Sequence, residues 1–104
     1  MKPLIAPSVL SADFSCLEKD IQMMNRSEAD WIHLDIMDGQ FVPNISFGFP
    51  VIKAVRKIAE KPLDTHLMIV QPERYIHEFK EAGCDLLTVH WEACTHLHRT
   101  ITQI

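Results

Sequence analysis

The sequence predicts an α/β fold on a parallel sheet, and three observations carry that expectation. Segments of strand period alternate with segments of helical period four times within 104 residues. The connections between them are short. Pro50 and Pro72 fall where helices should begin, and Gly83 falls where one should end. Alternation of this kind joins parallel strands by right-handed crossovers.

Leu4 to Leu10 is expected to form a short strand, with Pro7 near its end. Asp13 is placed to cap a helix whose apolar positions are Phe14, Leu17, Ile21 and Met24. A second strand runs from about Asp30 to Met37. Pro50 opens a helix with Val51, Ile52, Val55, Ile58 and Ala59 on one stripe. A third strand lies within Pro62–Val70. Pro72 opens the next helix, with Tyr75, Ile76, Phe79 and Ala82 inward, and Gly83 takes the left-handed position after it. Asp85 to His90 is a fourth strand. A final helix carries Leu97, Ile101 and Ile104 at spacings of four and three. The expectation is a single domain over residues 1–104.

Composition bounds the function. Hydrophobic residues make up 47% and charged residues 23%, as in ordinary globular domains. The net charge of −4 and the lack of a basic run argue against nucleic acid or an anionic membrane surface as partner. Pro3 and Pro7 interrupt the N-terminal apolar run, and no stretch approaches a membrane span, so cytoplasmic residence is expected. Cys16, Cys84 and Cys94 lack metal-site or disulfide spacing and read as reduced thiols.

Two strands carry an unusual row. Side chains two apart in a strand share a face. His33, Asp35 and Met37 therefore look one way, and Ile32, Leu34 and Ile36 the other. The third strand repeats the pattern, with Asp64, His66 and Met68 opposite Leu63, Leu67 and Ile69. Imidazoles and carboxylates are costly inside a fold unless paired or coordinated, so these rows point to a site. A short echo relates two strands: Asp30 precedes His33 by three and Asp35 by five, as Asp85 precedes Thr88 and His90. By that echo His90 also looks into the site, and it stays open between pocket wall and structural residue. Trp31 and Trp91 are expected to pack under helices. His77, His96 and His98 fall on solvated helix faces, as do the charges Lys53, Arg56, Lys57, Glu60 and Lys61.

Two architectures compete, an open doubly wound sheet and a (β/α)8 TIM barrel. Only Gly39, Gly48 and Gly83 are present, with no glycine-rich loop after the first strand, which disfavours a dinucleotide or P-loop site. Functional side chains toward the C-terminal ends of strands favour the barrel. A full barrel typically needs about 250 residues. The four βα units therefore read as the N-terminal half of a barrel from a longer chain. Two such halves pairing into one barrel is the lesser expectation.

Three segments carry a family resemblance: Ala6-Pro7-Ser8-Val9-Leu10-Ser11-Ala12-Asp13-Phe14, then His33-Leu34-Asp35-Ile36-Met37-Asp38-Gly39-Gln40-Phe41-Val42-Pro43-Asn44, then Asp64-Thr65-His66-Leu67-Met68. With these the whole chain resembles the ribulose-phosphate 3-epimerase family, whose fold is the ribulose-phosphate-binding (β/α)8 barrel. Gln40 departs from the family, which usually has His there. The resemblance implies that His33, Asp35 and His66 ligate a divalent metal, with Zn2+ first and Fe2+, Mn2+ or Co2+ as other occupants. It implies that Asp35 is also one of two acid/base carboxylates, that Ser8 and His66 contact a phosphorylated ketose, and that Met37 and Met68 line the reacting centre. The second carboxylate and the phosphate grip belong to the family's C-terminal half, which nothing here matches. The implied reaction interconverts D-ribulose 5-phosphate and D-xylulose 5-phosphate in the pentose phosphate pathway, in a homo-oligomer, and this chain alone is expected to be inactive. Two rivals are an allulose-6-phosphate 3-epimerase and a non-catalytic metal-binding or assembly half-barrel.

Overall fold

The computed structural model describes residues 2–104. Its order is α1 (Leu17–Arg26), β1 (Ile32–Met37), α2 (Phe49–Ile58), β2 (Leu63–Met68), α3 (Ile76–Ala82), β3 (Leu86–Thr88) and α4 (Leu97–Gln103), with short 3-10 turns between them. The three strands form one parallel sheet in the order β1-β2-β3. Pairing is in register from Ile32 opposite Leu63 to Met37 opposite Met68. On the other side of β2, Asp64 stands opposite Leu86 and His66 opposite Thr88.

Helices α1, α2 and α3 cover one face of the sheet. Ile32, Leu34, Ile36, Leu63, Leu67 and Ile69 are buried there against Ile21 and Met24 of α1, Ile52 and Val55 of α2, and Phe79 and Ala82 of α3. Thr65 joins this row fully buried. In α1, α2 and α3 the amphipathic pattern thus does what its spacing asks, because each of these helices buries its apolar stripe on the sheet.

The first expected strand differs. Residues 2–7 run alongside β1, where Ile5 O accepts from Asp30 N–H at 2.8 Å and Pro7 O accepts from His33 N–H at 2.9 Å. Only Ser8 makes a true bridge, to His33, before Val9–Ser11 turns as a 3-10 helix. Pro3 and Pro7 have no N–H to donate, so the ladder cannot close into a regular strand. Four strand positions therefore yield a three-stranded sheet.

Other departures have local causes. Asp13 caps a 3-10 turn, Phe14–Cys16, before α1 begins at Leu17, which leaves Phe14 46% exposed against Phe47. Pro72 likewise opens a 3-10 turn, and α3 starts only at Ile76, with Tyr75 between them and 37% exposed. In α4, Thr100 is buried while Ile101 and Ile104 are 56% and 47% exposed. A stripe read from spacing alone assumes a neighbour on that side, and the described residues cover those two side chains only in part. Trp91 is 71% exposed, not packed under a helix, and Trp31 is half-buried.

Arg56 and Lys61 are not simply solvated charges. The Arg56 guanidinium donates to Gly83 O, Ala59 O and Lys61 O and pairs with Asp85 at 2.9 Å. Its planar fork suits several carbonyls at once. Lys61 Nζ donates to Ser27 O and Ala29 O. Gly83 takes φ +108 to end α3, and a Cβ there would collide with the Arg56 side chain. The residues Asp30 and Asp85, matched in the echo, do the same work in two places. Asp30 Oδ2 accepts from Ile5 N–H at 2.8 Å and Asp85 Oδ2 from Leu63 N–H at 2.9 Å. No helix among the described residues is long and apolar enough to cross a membrane.

Candidate metal centre

The face of the sheet away from the helices carries the polar rows, stacked in layers by the parallel register. The lowest layer is His33, Asp64 and Leu86; the next is Asp35, His66 and Thr88; above them Met37 lies beside Met68. The stagger between strands puts Thr88 level with Asp35, one layer higher than the echo suggests. His90, two residues further on, reaches the cluster from above.

Asp35 is the hub. Its Oδ1 lies 3.0 Å from His33 Nε2 and 3.4 Å from His66 Nδ1. Its Oδ2 accepts from Ser8 Oγ at 2.6 Å. Ser8 in turn accepts from Leu10 N–H, so the 3-10 turn after the first segment aims its hydroxyl at the carboxylate. His33 Nδ1 lies 2.8 Å from Asp64 Oδ2 on the adjacent strand. His66 Nε2 lies 2.7 Å from His90 Nε2. The side chains of His33, Asp35, Asp64 and His66 are between 17% and 28% exposed, so the cluster is shielded yet reachable.

Burial pushes the Asp35 carboxyl up. The Ser8 hydroxyl, the charge on His33 and hydrogen bonds from His33 and His66 outweigh burial, and the pKa is held below the ordinary carboxylate value. The group therefore stays ionised near neutral pH, as a metal ligand or a base requires.

The donor atoms of His33, Asp35 and His66 all lie within 4.8 Å of one another. Metal–nitrogen and metal–oxygen bonds to zinc are about 2.0–2.2 Å. One divalent ion therefore fits this set with at most a small side-chain adjustment. Two imidazoles and a carboxylate are a common three-ligand set that leaves positions for other oxygens. The Asp64–His33 contact has the carboxylate–histidine form that orients a ligand imidazole.

Ser8 and His90 contact the His–Asp–His group through Asp35 and His66, and Met37 and Met68 pair in the layer above it. Two contributors were not read from the pattern. Ser46 Oγ donates to Asp35 O at 2.6 Å and accepts from Met37 N–H at 3.0 Å, which pins the end of β1. Asp38 accepts from the amides of Gln40, Phe41 and Val70, each at 2.8 Å, and so ties the loop after β1 to the end of β2. Burial raises the Asp38 pKa, but these amides outweigh it and hold the carboxyl low. The Asp38-Gly39 pair is an ordinary turn signal, and Gly39 does take φ +75. A separate cavity of about 260 Å³ opens between these loops, lined by Met37, Asp38, Phe49 and Arg74 among others. It holds none of His33, Asp35 or His66, so it is not the site.

The model of the family described as "Ribulose-phosphate 3 epimerase family" matches residues 4–104. A ribulose-phosphate 3-epimerase of Bacillus subtilis is 55% identical over 100 residues, covering 96% of this chain and 46% of the relative. One from Synechocystis sp. is 52% identical over 103 residues, covering 97% of this chain and 45% of the relative. The chloroplastic ribulose-5-phosphate-3-epimerase of Arabidopsis thaliana is 47% identical, covering 97% and 37%. The chain thus spans about half the length, or less, of the curated relatives it matches. A match over nearly its whole length, on a parallel α/β sheet that gathers His33, Asp35 and His66, makes this chain a member of the ribulose-phosphate 3-epimerase family.

Proposed function

We propose that this chain provides the metal-binding side of a 3-epimerase site that inverts C3 of a ketose phosphate, converting D-ribulose 5-phosphate to D-xylulose 5-phosphate and back. The observation that carries the reading is the convergence of His33 and His66 on Asp35 Oδ1. His33, Asp35 and His66 would hold a divalent cation, with Zn2+ the first choice, which would supply positive charge to offset the negative charge that develops on the ketone oxygen. Asp35 removes or returns the C3 proton on one face, and its low pKa keeps it ready to accept. Ser8 holds the carboxylate's second oxygen in place. Met37 and Met68 exclude water with a polarisable apolar cover, and Ser8 and His90 meet the sugar oxygens.

Inversion needs a second base on the opposite face of the carbon. The two carboxylates that neighbour Asp35 on and after the strands are both already engaged, Asp64 by His33 and Asp38 by three backbone amides. The chain alone is therefore expected not to invert C3. A chimera carrying residues 1–104 in place of the matching half of the Bacillus subtilis relative should restore inversion. Asp35→Asn in it should cost about 100- to 10,000-fold in kcat, the usual contribution of one acid–base group. NMR of the C3 proton in deuterated water with D-ribulose 5-phosphate reads both arms. A folded, zinc-loaded chimera without turnover would contradict the reading, as would inversion at a normal rate by the chain alone. Relative kcat/KM on D-ribulose 5-phosphate and D-allulose 6-phosphate separates the pentose from the hexose substrate.

A second reading rests on the open edges of the sheet. Leu4 and Ile5 on one edge are 60% and 58% exposed, and Leu86 and Ile101 toward the other are 36% and 56% exposed. Exposed strand edges with apolar flanks invite pairing. Homo-oligomer formation is the expected result in sedimentation.

A further inference from the structure

His66 offers its two ring nitrogens to two different partners. Nδ1 faces Asp35 Oδ1 at 3.4 Å, and Nε2 faces His90 Nε2 at 2.7 Å. A neutral imidazole has one proton and one lone pair. A ligand atom must present the lone pair, so an ion shared with Asp35 at Nδ1 leaves the proton on Nε2. At 2.7 Å that N–H points at His90 Nε2. It finds an acceptor only if His90 carries its own proton on Nδ1. The half-buried His90 ring is held for this contact. Its centroid is 4.9 Å from that of Phe41 and 4.9 Å from that of His66, and its carbonyl accepts from Ala93 N–H at 3.0 Å.

We propose that His90 is a positioning residue that accepts the Nε2–H of His66 and so holds His66 in the tautomer and orientation that ligate through Nδ1. The inference rests on the metal reading given above. It assigns His33 and His66 different orienting partners, a carboxylate for one and an imidazole for the other. The difference has a physical use. Without an ion, Asp35 Oδ1 attracts a proton onto His66 Nδ1, and Nε2 then needs a donor. A neutral imidazole supplies a donor or an acceptor at the same position, whereas an ionised carboxylate only accepts. His90 thus keeps its contact with His66 in both states. A neutral primary amide shares that double capacity, and an apolar ring does not.

The test uses the 104-residue chain, ¹⁵N-labelled, with zinc as the probe. Long-range ¹H–¹⁵N correlations in the zinc-loaded wild type should show His66 protonated on Nε2 and His90 protonated on Nδ1, with a slowly exchanging His66 Nε2 proton. His77, His96 and His98, exposed on the surface, give the rapidly exchanging reference. His90→Phe should weaken zinc binding about tenfold or more, the usual effect of losing a partner that orients a ligand. His90→Gln should recover most of that loss. Finding His90 protonated on Nε2 in the zinc-loaded wild type would overturn the proposal without any variant. So would His90→Phe binding zinc as tightly as wild type. Failure of the wild type to bind zinc would instead overturn the metal reading and this inference with it, whereas zinc binding with the wrong His90 tautomer overturns the positioning role alone.

Discussion

Asp35→Ala is expected to weaken zinc binding by about 100-fold or more, while Asp64→Ala weakens it by about tenfold. Loss of a residue that only orients a ligand typically costs 10- to 100-fold, so loss of an anionic ligand should reach at least the top of that range. The geometry explains the ordering. Asp35 Oδ1 is the single atom that both imidazoles face, at 3.0 and 3.4 Å. Without it the two histidines have no shared anion, and two neutral nitrogens bind a dication less well than the charged set. Asp64 touches only His33, through Nδ1 at 2.8 Å. Its removal frees the imidazole to rotate and to take the other tautomer, but leaves all three donors in the chain. Competition against a metal-indicator dye measures both variants, with circular dichroism as the folding control. An Asp35→Ala chain within threefold of wild type would show that zinc sits elsewhere.

Leu34→Ala should cost about 3 kcal/mol of folding stability, within the usual range for a buried leucine truncated to alanine. Leu34 is fully buried in β1, which lies between the 2–8 segment and β2 and carries the core against the helices. The cavity cannot collapse easily, because the flanking strand positions are held by hydrogen bonds on both sides. For a domain of this size that loss lowers Tm by roughly 12–24 °C, at 4–8 °C per kcal/mol. Leu86→Ala is the matched control. Its side chain is 36% exposed on the open face, so the same chemical change should cost about 0.5 kcal/mol or less. Thermal melts of the two variants decide. Equal losses would mean that the open face, not the helix-covered one, holds the fold together.

The residues of the site are legible because strand period assigns faces. Once Trp31–Met37 is read as a strand, His33 and Asp35 must share a face opposite Ile32, Leu34 and Ile36. What a single strand's pattern does not contain is its register with the next. That Asp35 stands opposite His66, and that Thr88 stands on their level, follows from strand stagger and the crossovers. The failures have the same character. Ile101 and Ile104 have helical spacing, but spacing names a face without naming what covers it. Leu4–Leu10 has the apolar content of a strand, but Pro3 and Pro7 remove the donors that a ladder needs. Ser46 and Asp38 act through backbone groups, so their partners are invisible to any side-chain pattern. Arg56 looks like one charge among several on α2, and only the turn at Gly83 gives its fork something to grip.

X-ray absorption on the zinc-loaded chain tests most directly whether His33, Asp35 and His66 form one divalent-metal site. The chain offers three cysteines as competing ligands. Burial raises the Cys84 thiol pKa, which disfavours the thiolate that zinc requires. The expected result is one zinc per chain, bound by nitrogen and oxygen only, with the scattering of two imidazoles. Sulfur in the first shell, or a spectrum unchanged in Asp35→Ala, would contradict it.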